Sequence, residues 1–299
     1  VKVVLTGASG FLGQYILPFL PENVLTLGRG HGNDIQVDLS NDIPKLSTCD
    51  FLIHNAGLAH RVPKTKEEEE LFFKVNVEGT KNLLLGIDAL KSKPQSIVLI
   101  STVAVYGLDQ GELISEEQIP NPSTPYGKSK LEAEKLLSDY ANKNNIRLTI
   151  LRLPLVAGSK NAPGNLGAMI SAIKRGYYFR IKGLNSKKSM VLAEDVGRLI
   201  PTLFNKSGVF NLTDGIHPTL MELESYIAKF HKRKIHSLPL QWVKLAGKIG
   251  DRVSAFPINS YRLEKLTFSL TFDDRKARYE LLWNPLPVIG NLDLEKIER

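Results

Sequence analysis

The stretch Val3-Val4-Leu5-Thr6-Gly7-Ala8-Ser9-Gly10-Phe11-Leu12-Gly13 decides the fold. A short apolar run ends in glycines spaced G-x-x-G-x-x-G, and a second apolar run, Phe11–Leu20, follows at once. That order predicts a buried strand, a tight turn and a helix. Glycines let a backbone approach a pyrophosphate, and the N-terminus of a helix offers free N–H groups and the positive end of its dipole. Gly7, Ser9, Gly10, Phe11, Leu12 and Gly13 therefore read as the phosphate-cradling turn of a dinucleotide site. A tight turn with a purely structural role is the competing reading, and the strand–turn–helix context favours the dinucleotide.

Working outward, strands are expected at Asn23–Leu27, Ile35–Asp38, Phe51–His54, Ser96–Ser101 and Ile146–Leu151. Between them lie a long helix that opens on Glu67–Glu70 and continues through Leu71, Phe72, Val75, Leu83, Leu84 and Ile87, and a second helix at Pro125–Lys143. Acidic residues suit a helix N-terminus. Strand and helix alternate as in parallel βαβ units, whose right-handed crossovers build an α/β, doubly wound parallel sheet. Beyond residue 155 the pattern loosens. Gly158–Gly167 reads as a loop, Leu166–Arg175, Ala193–Phe204, Leu220–Phe230 and Arg275–Leu282 as helices, and Gly208–Asn211 as a short strand. The expected organisation is a dinucleotide-binding core over residues 1–155. Residues 156–299 form mainly a small substrate-binding cap, with some elements returning to the core.

The end of the second strand bears on cofactor choice. An acid there would bind the ribose 2′-hydroxyl of NAD, whereas an arginine accommodates the 2′-phosphate of NADP. The residues are Leu27-Gly28-Arg29, so NADP(H) is favoured over NAD(H), with a solvated or adenine-stacked Arg29 as the alternative. Asp38-Leu39 follows the third strand, where Asp38 could accept a hydrogen bond from the adenine amine. Asn55-Ala56-Gly57 follows the next strand and would lie beside the cofactor.

Thr102-Val103-Ala104-Val105-Tyr106-Gly107, followed by Tyr126-Gly127-Lys128-Ser129-Lys130, carries the candidate chemistry. Four residues at a rise of ~1.5 Å put Tyr126 and Lys130 on one helix face, about a turn apart. A phenol titrates near ~10, and an ammonium beside it is expected to lower that value. A tyrosine tuned in this way can exchange a proton with a sugar or alcohol oxygen.

Composition bounds the rest. A chain of 299 residues has room for a full core. One cysteine, in Ser47-Thr48-Cys49-Asp50, rules out an internal disulfide framework and reads as structural. No apolar run approaches the ~18 residues of a membrane span, no histidine cluster has metal-ligand spacing, and the chain enters its first strand without a secretory signal, so a cytoplasmic location is expected. Residues 1–150 carry 15 Lys/Arg against 18 Asp/Glu, whereas residues 151–299 carry 24 against 13. A basic second half could attract nucleic acid, a membrane surface or a small polyanion. Without a nucleic-acid-binding signature, a small anionic substrate is preferred.

Taken together, Gly7/Gly10/Gly13, Asp38, Asn55-Ala56-Gly57, Asn76 in Val75-Asn76-Val77-Glu78-Gly79-Thr80, Ser101-Thr102, Tyr126/Lys130 and Arg152 resemble the extended short-chain dehydrogenase/reductase superfamily. That group comprises the nucleotide-sugar epimerases, dehydratases and reductases. The resemblance implies a Rossmann core, a bound NAD or NADP, and a nucleotide-sugar substrate. It implies that Thr102 and Tyr126 flank the substrate carbonyl or hydroxyl. Lys130 would hold the nicotinamide ribose and tune Tyr126, and Asn76 would be the structural asparagine of the long helix, counted with the cofactor residues. Ser101 is a lesser candidate than Thr102. Where the 4,6-dehydratases have an Asp-Glu pair, this chain has Val103-Ala104, which cannot exchange protons. The acid/base cysteine of the bifunctional epimerase/reductases has no counterpart either, since Cys49 lies far upstream.

The second half resembles bacterial reductases acting on UDP-4-keto-6-deoxy-N-acetylhexosamines for surface polysaccharides. The resembling stretches are Gly164-Asn165-Leu166, Asn185-Ser186-Lys187-Lys188-Ser189, Glu194-Asp195-Val196, and Ser269-Leu270-Thr271-Phe272-Asp273 leading to Leu282-Trp283-Asn284-Pro285. By that resemblance Asn165 and Leu166 border the UDP moiety and Lys188 stands where an arginine often meets the diphosphate. Val156-Ala157-Gly158-Ser159 replaces the usual sequence beside the sugar. Reduction of a 4-keto nucleotide sugar is the leading expectation, UDP-hexose 4-epimerisation with tightly bound NAD+ its rival, and a non-catalytic dinucleotide sensor a third possibility. His60 and Arg61 could meet substrate or lie on the surface. The basic amphipathic stretch Leu240–Phe256 is expected to pack against the body rather than lie on a membrane. A homodimer paired through the two long helices would fit the superfamily.

Overall fold

Val3–Thr6 forms β1, buried at all four positions. The computed structural model describes residues 1–59, 61–158, 164–250, 263 and 266–294, with the side chains of residues 165 and 246–250 outside that description. The chain continues through α1 (Gly13–Ile16), β2 (Leu25–Gly28), β3 (Ile35–Gln36), β4 (Phe51–His54), α2 (Lys66–Phe73), α3 (Gly79–Asp88), β5 (Ser96–Thr102), β6 (Gly111–Ile114), α4 (Pro125–Asn144), β7 (Arg147–Leu153) and β8 (Leu155–Ala157). It goes on through α5 (Gly164–Arg175), β9 (Phe179–Ile181), β10 (Met190–Leu192), α6 (Ala193–Leu199), β11 (Gly208–Asn211), α7 (Leu220–Phe230), β12 (His236–Leu238), α8 (Leu240–Gly250), β13 (Leu270–Phe272) and α9 (Arg275–Glu280).

Seven strands form one sheet in the order β11-β7-β5-β4-β1-β2-β3. Every pairing in it is parallel. A parallel sheet is covered on both faces, which is why β1 and β4 read as continuous apolar runs rather than alternating ones. One face packs Leu5, Phe51, Ile53 and Val98 with Ile16 of α1, Val196 of α6 and Ala277 of α9. The other packs Val4, Leu52, Ile97 and Leu99 with Leu83 and Ile87 of α3 and Leu137 of α4. Fully buried side chains such as Leu83 and Ile87 contribute about 1.5–3 kcal/mol each. The chain builds outward from β1 to β3, then crosses back to β4 and builds the other way. The crevice at the strand ends between β1 and β4 is thus the topological switch point.

A third apolar cluster belongs to the second half: Leu166, Ile170 and Ile173 of α5 against Leu223 and Ile227 of α7, with Met190 and Val288. Three two-stranded parallel pairs accompany it: β8–β10, β9–β12 and β6–β13. β11 leaves this region to form the edge of the main sheet, and α6 and α9 to cover one of its faces.

Several elements differ from expectation. The helix expected over Phe11–Leu20 is a short α1 followed by a 3-10 turn at Leu17–Phe19, because Pro18 has no N–H for a continuing ladder. The long helix is split by a π-helical turn at Lys74–Glu78. The six strands β6, β8, β9, β10, β12 and β13 were not expected. The Leu240–Phe256 stretch is helical to Gly250; Val243 is buried, but Trp242 is 70% and Leu245 59% exposed. It therefore does not simply pack against the body. The rest of that stretch, 251–256, lies outside the described residues.

Candidate active site

The loops leaving β1, β2, β4 and β5 meet at the switch point. Gly7 adopts φ +70°, and a Cβ there would stand 2.8 Å from the Ala56 backbone. Only glycine permits both that conformation and that approach. The turn after β1 is thereby pressed against Asn55-Ala56-Gly57, and the Asn55 side chain donates to the Gly7 carbonyl at 3.0 Å. α1 begins just beyond, its N-terminal end facing the turn.

A pair of buried side chains at the ends of β1 and β4 locks this junction. Thr6 and His54 are register partners. The Thr6 hydroxyl accepts from the backbone N–H of Asn55 and of Ala56 at 3.1 and 3.0 Å. Its own proton is left for His54 Nδ1 at 2.9 Å. His54 Nε2 then donates to the Thr80 hydroxyl at 3.0 Å, and Thr80 donates to the Asn76 carbonyl at 2.6 Å. Burial first, and Lys130 second, hold the imidazole down at about 3, so it is a neutral structural link with one tautomer rather than an acid or base.

The second convergence places Thr102 against Tyr126. Thr102 ends β5 and caps a 3-10 turn, Val103–Tyr106, through the Ala104 N–H. α4 starts at Pro125, capped by the Thr124 hydroxyl on the Gly127 N–H at 3.1 Å. A Cβ on Gly127 would lie 2.6 Å from the Ala104 carbonyl. Any larger residue would push the first turn of α4, and Tyr126 with it, away from Thr102. Val103 and Ala104 go into the turn that makes this contact.

Gly7, Ser9, Gly10, Phe11, Leu12, Arg29, Asp38, Leu39, Asn55, Ala56, Gly57, Ser101, Thr102, Tyr126 and Lys130 line one cavity of about 490 Å³. Arg29 and Asp38 sit at one end, beyond β2 and β3. Burial opposes the Asp38 charge, but two hydrogen bonds from Ser40, and the Arg29 and Lys74 cations, hold the carboxyl below its ordinary value. At the other end burial raises the Tyr126 phenol above its ordinary value, and the facing Thr102 hydroxyl works the opposite way. Lys130 donates to the Ile100 carbonyl at 2.7 Å. Burial brings its ammonium down to about 8, with the Glu134 carboxylate opposing. The expectation that Lys130 lowers the Tyr126 phenol is therefore not met: the ammonium is directed to a backbone carbonyl, and desolvation dominates the phenol.

Other candidate residues stand off the cavity wall. Asn76 is 2% exposed and away from the cavity wall. Its carboxamide accepts from Leu58 N–H at 2.7 Å and donates to the Leu58 carbonyl and to the Ser129 hydroxyl. It ties the Asn55–Leu58 loop to α4. Gly13 also lies off the wall; a Cβ there would stand 2.1 Å from the Gly7 carbonyl, so its role is close packing of α1 on the turn. Leu166 is in the cap core at 3% exposure. Lys188 donates to the Phe268 carbonyl at 2.8 Å and is not on the cavity wall. The Asn165 side chain and His60 lie outside the described residues. Arg61 is exposed and off the wall. Cys49 is buried, its thiol pushed up to about 12 by burial and then by Asp50.

Behind the reacting end lies a network that sequence reasoning missed. Glu134, one turn beyond Lys130, accepts from Ser101 and from Arg152 at 3.2 and 2.7 Å. The Arg152 guanidinium lies 4.8 Å from the Tyr106 ring centroid, and the Tyr106 hydroxyl donates to Asn211 at 2.8 Å. The i+4 spacing from Lys130 to Glu134, with Arg152 at the end of the next strand, was the available signal.

A glycine cradle at a helix N-terminus, an ionised carboxylate and an arginine beyond the second and third strands fit a dinucleotide. Together with the Thr102/Tyr126/Lys130 end, they define a Rossmann-type enzyme site. The NAD-dependent epimerase/dehydratase family profile matches residues 3–212, and the chain belongs to that family. It is an NAD(P)-binding enzyme. It is 27% identical, over 98% of its length and 93% of the relative's, to N-acetyl-alpha-D-glucosaminyl-diphospho-ditrans,octacis-undecaprenol 4-epimerase of Escherichia coli O157:H7. The fold is shared with UDP-glucose 4-epimerase of Thermotoga maritima with UDP-glucose (TM-score 0.76, 20% identity, 100% of this chain and 98% of that one). It is also shared with RMD from Pseudomonas aeruginosa complexed with NADPH (TM-score 0.72, 20% identity, 100% of both chains).

Proposed function

We propose that this enzyme interconverts the C4 epimers of a diphosphate-linked sugar through a transient 4-ketone. The observation that carries the reading is the poverty of proton-exchanging groups among the described residues at the reacting end. Of the titratable residues on the cavity wall, Asp38 and Arg29 lie at the far end, His54 is locked neutral, and Tyr126 and Lys130 remain. One phenol suffices for reversible oxidation at a single carbinol, and eliminating a neighbouring hydroxyl would need further acid/base groups. The 4-epimerase relative matched along 98% of the chain supports the same chemistry.

NAD(P), held by Gly7–Leu12 and the loop at Asn55–Gly57, would supply the two-electron redox chemistry at C4. Thr102 donates a hydrogen bond to O4 and so places it beside the phenol. Tyr126, as the phenolate, takes the O4 proton as the ketone forms and returns it as the carbinol re-forms. Burial of the phenol works against that form, and bound NAD+ would add the positive charge that favours it. Lys130 places a cation one helical turn from the phenol. Glu134 favours the charged form of that lysine against burial, and its bonds from Arg152 and Ser101 hold Glu134 still.

A second reading, reduction of a 4-keto nucleotide sugar with NADPH, as in reductases of UDP-4-keto-6-deoxy-N-acetylhexosamines, is favoured by Arg29. That residue stands on the cavity wall beyond β2, where a 2′-phosphate would be met. The two readings separate in one assay. Purified protein with NAD+ and UDP-N-acetylglucosamine should yield the C4 epimer by NMR without net cofactor reduction. No epimer, together with NADPH oxidation on a 4-keto sugar nucleotide, would establish the reductase instead.

A further inference from the structure

Among the described residues, the paired strands β9 and β12 present an uncovered face. Their register sets Phe179 beside His236 and Ile181 beside Leu238. Partners in a parallel pair point to the same side, and alternate residues to the other. Arg180 marks the inner side: it bonds Glu224 at 2.6 Å and Ser225 at 2.7 Å on α7. Phe179, Ile181 and Leu238 therefore point outward, and Phe179 is 52% exposed. α8 follows after Pro239 and adds Trp242 and Leu245, three residues apart on one helix face.

The segments that build this face are one-sided in charge. Residues 172–183 and 229–250, which supply both strands and α8, contain ten Lys/Arg and no Asp/Glu. Arg180, on the inner side, is paired with Glu224, and the other nine have no acid within these segments. Lys182, Lys232, Lys234 and Lys244 are exposed. Exposed apolar side chains on β9–β12 and, a few residues further along the chain, an exposed indole at the start of α8, in segments rich in cations and free of acids, are complementary to an anionic headgroup layer over acyl chains. A partner protein of mixed charge would leave this excess unmatched.

We propose that the β9–β12–α8 face docks this enzyme on an anionic lipid bilayer. Trp242 and Leu245 enter the headgroup boundary, and the lysines hold phosphates. The docked enzyme would meet sugar diphosphates carried on lipid. That consequence rests on the proposed reaction, whereas the docking itself does not.

The test is co-sedimentation of the full-length protein with vesicles, which needs no turnover and so stands apart from any failure of the epimerase assay. The protein should pellet with phosphatidylcholine/phosphatidylglycerol vesicles and not with phosphatidylcholine alone, and salt should release it. Trp242→Glu should weaken binding about tenfold or more. Lys182→Glu with Lys234→Glu should weaken it about fivefold per residue. Both variants should keep wild-type activity on soluble substrate, since neither touches the cavity. No pelleting on anionic vesicles, or pelleting unchanged in both variants, would overturn the proposal. So would a concentration-dependent dimer that Trp242→Glu abolishes, because the face would then belong to a second copy.

Discussion

The two halves of the chain differ in the sign of their net charge and in what their exposed charges surround, although both bury paired groups. In residues 1–150 a small acidic excess accompanies titratable groups drawn inward and paired: His54 between two threonines, Lys130 on a carbonyl, and Glu134 with the guanidinium of Arg152, from just beyond this half. In residues 151–299 a surplus of eleven positive charges includes exposed lysines around an apolar face. The contrast separates two tasks. Buried, satisfied groups fix the geometry and protonation of a reacting site, while exposed cations act on whatever approaches from outside.

Variants can break or sharpen that contrast, and the largest effect should come from the reacting end. Tyr126→Phe should lower kcat about 10²–10⁴-fold while leaving the dissociation constant for NAD+ unchanged, measured by steady-state kinetics and fluorescence titration. Glu134→Ala should cost about 3–5 kcal/mol in urea unfolding, because Arg152 is then buried without its carboxylate. A cost near zero would mean that the network is not structural. Leu166→Ala, in the cap core, should cost about 2–5 kcal/mol with no change in cofactor affinity, which would separate the cap's packing from the cradle.

His54 gives a pH test. Its folded value of about 3 lies below the unfolded ~6.5. Between those values the unfolded chain binds a proton that the folded chain refuses. The stability that this group contributes is therefore full above ~6.5 and is lost as pH falls towards 3. Comparing urea midpoints of wild type and His54→Gln across that range should show a steeper decline for wild type. The smallest effect should be at Arg29. Arg29→Ala should weaken NADPH binding about tenfold, one charge-assisted phosphate contact, and leave NADH binding unchanged. Equal weakening of both would place Arg29 on the adenine instead.

How legible these features are in the sequence follows the same divide. Gly7, Gly10 and the apolar β1 announce themselves within eleven residues, because a strand–turn–helix unit is local. Tyr126 and Lys130 are readable because helix spacing alone puts them together. The β9–β12 pair joins residues far apart in sequence and is three residues long, so no period or turn signal precedes it. The π turn around Asn76 depends on Leu58 and Ser129, which only the folded chain brings near. Thr6 and His54 each end an apolar strand, yet their partnership exists only through the β1–β4 register. Leu166 and Lys188 came from resemblance, and the structure directs one into the cap core and the other to a carbonyl.

The most direct test of the central claim follows the hydrogen at C4. The enzyme would be given UDP-N-acetylglucosamine carrying deuterium at C4, with NAD+ as the sole added cofactor, and the sugars read by NMR and mass spectrometry. The account predicts a mixture of both C4 epimers with deuterium retained at C4 in each. Unchanged substrate under these conditions, with NADPH consumed on a 4-keto sugar nucleotide, would contradict it.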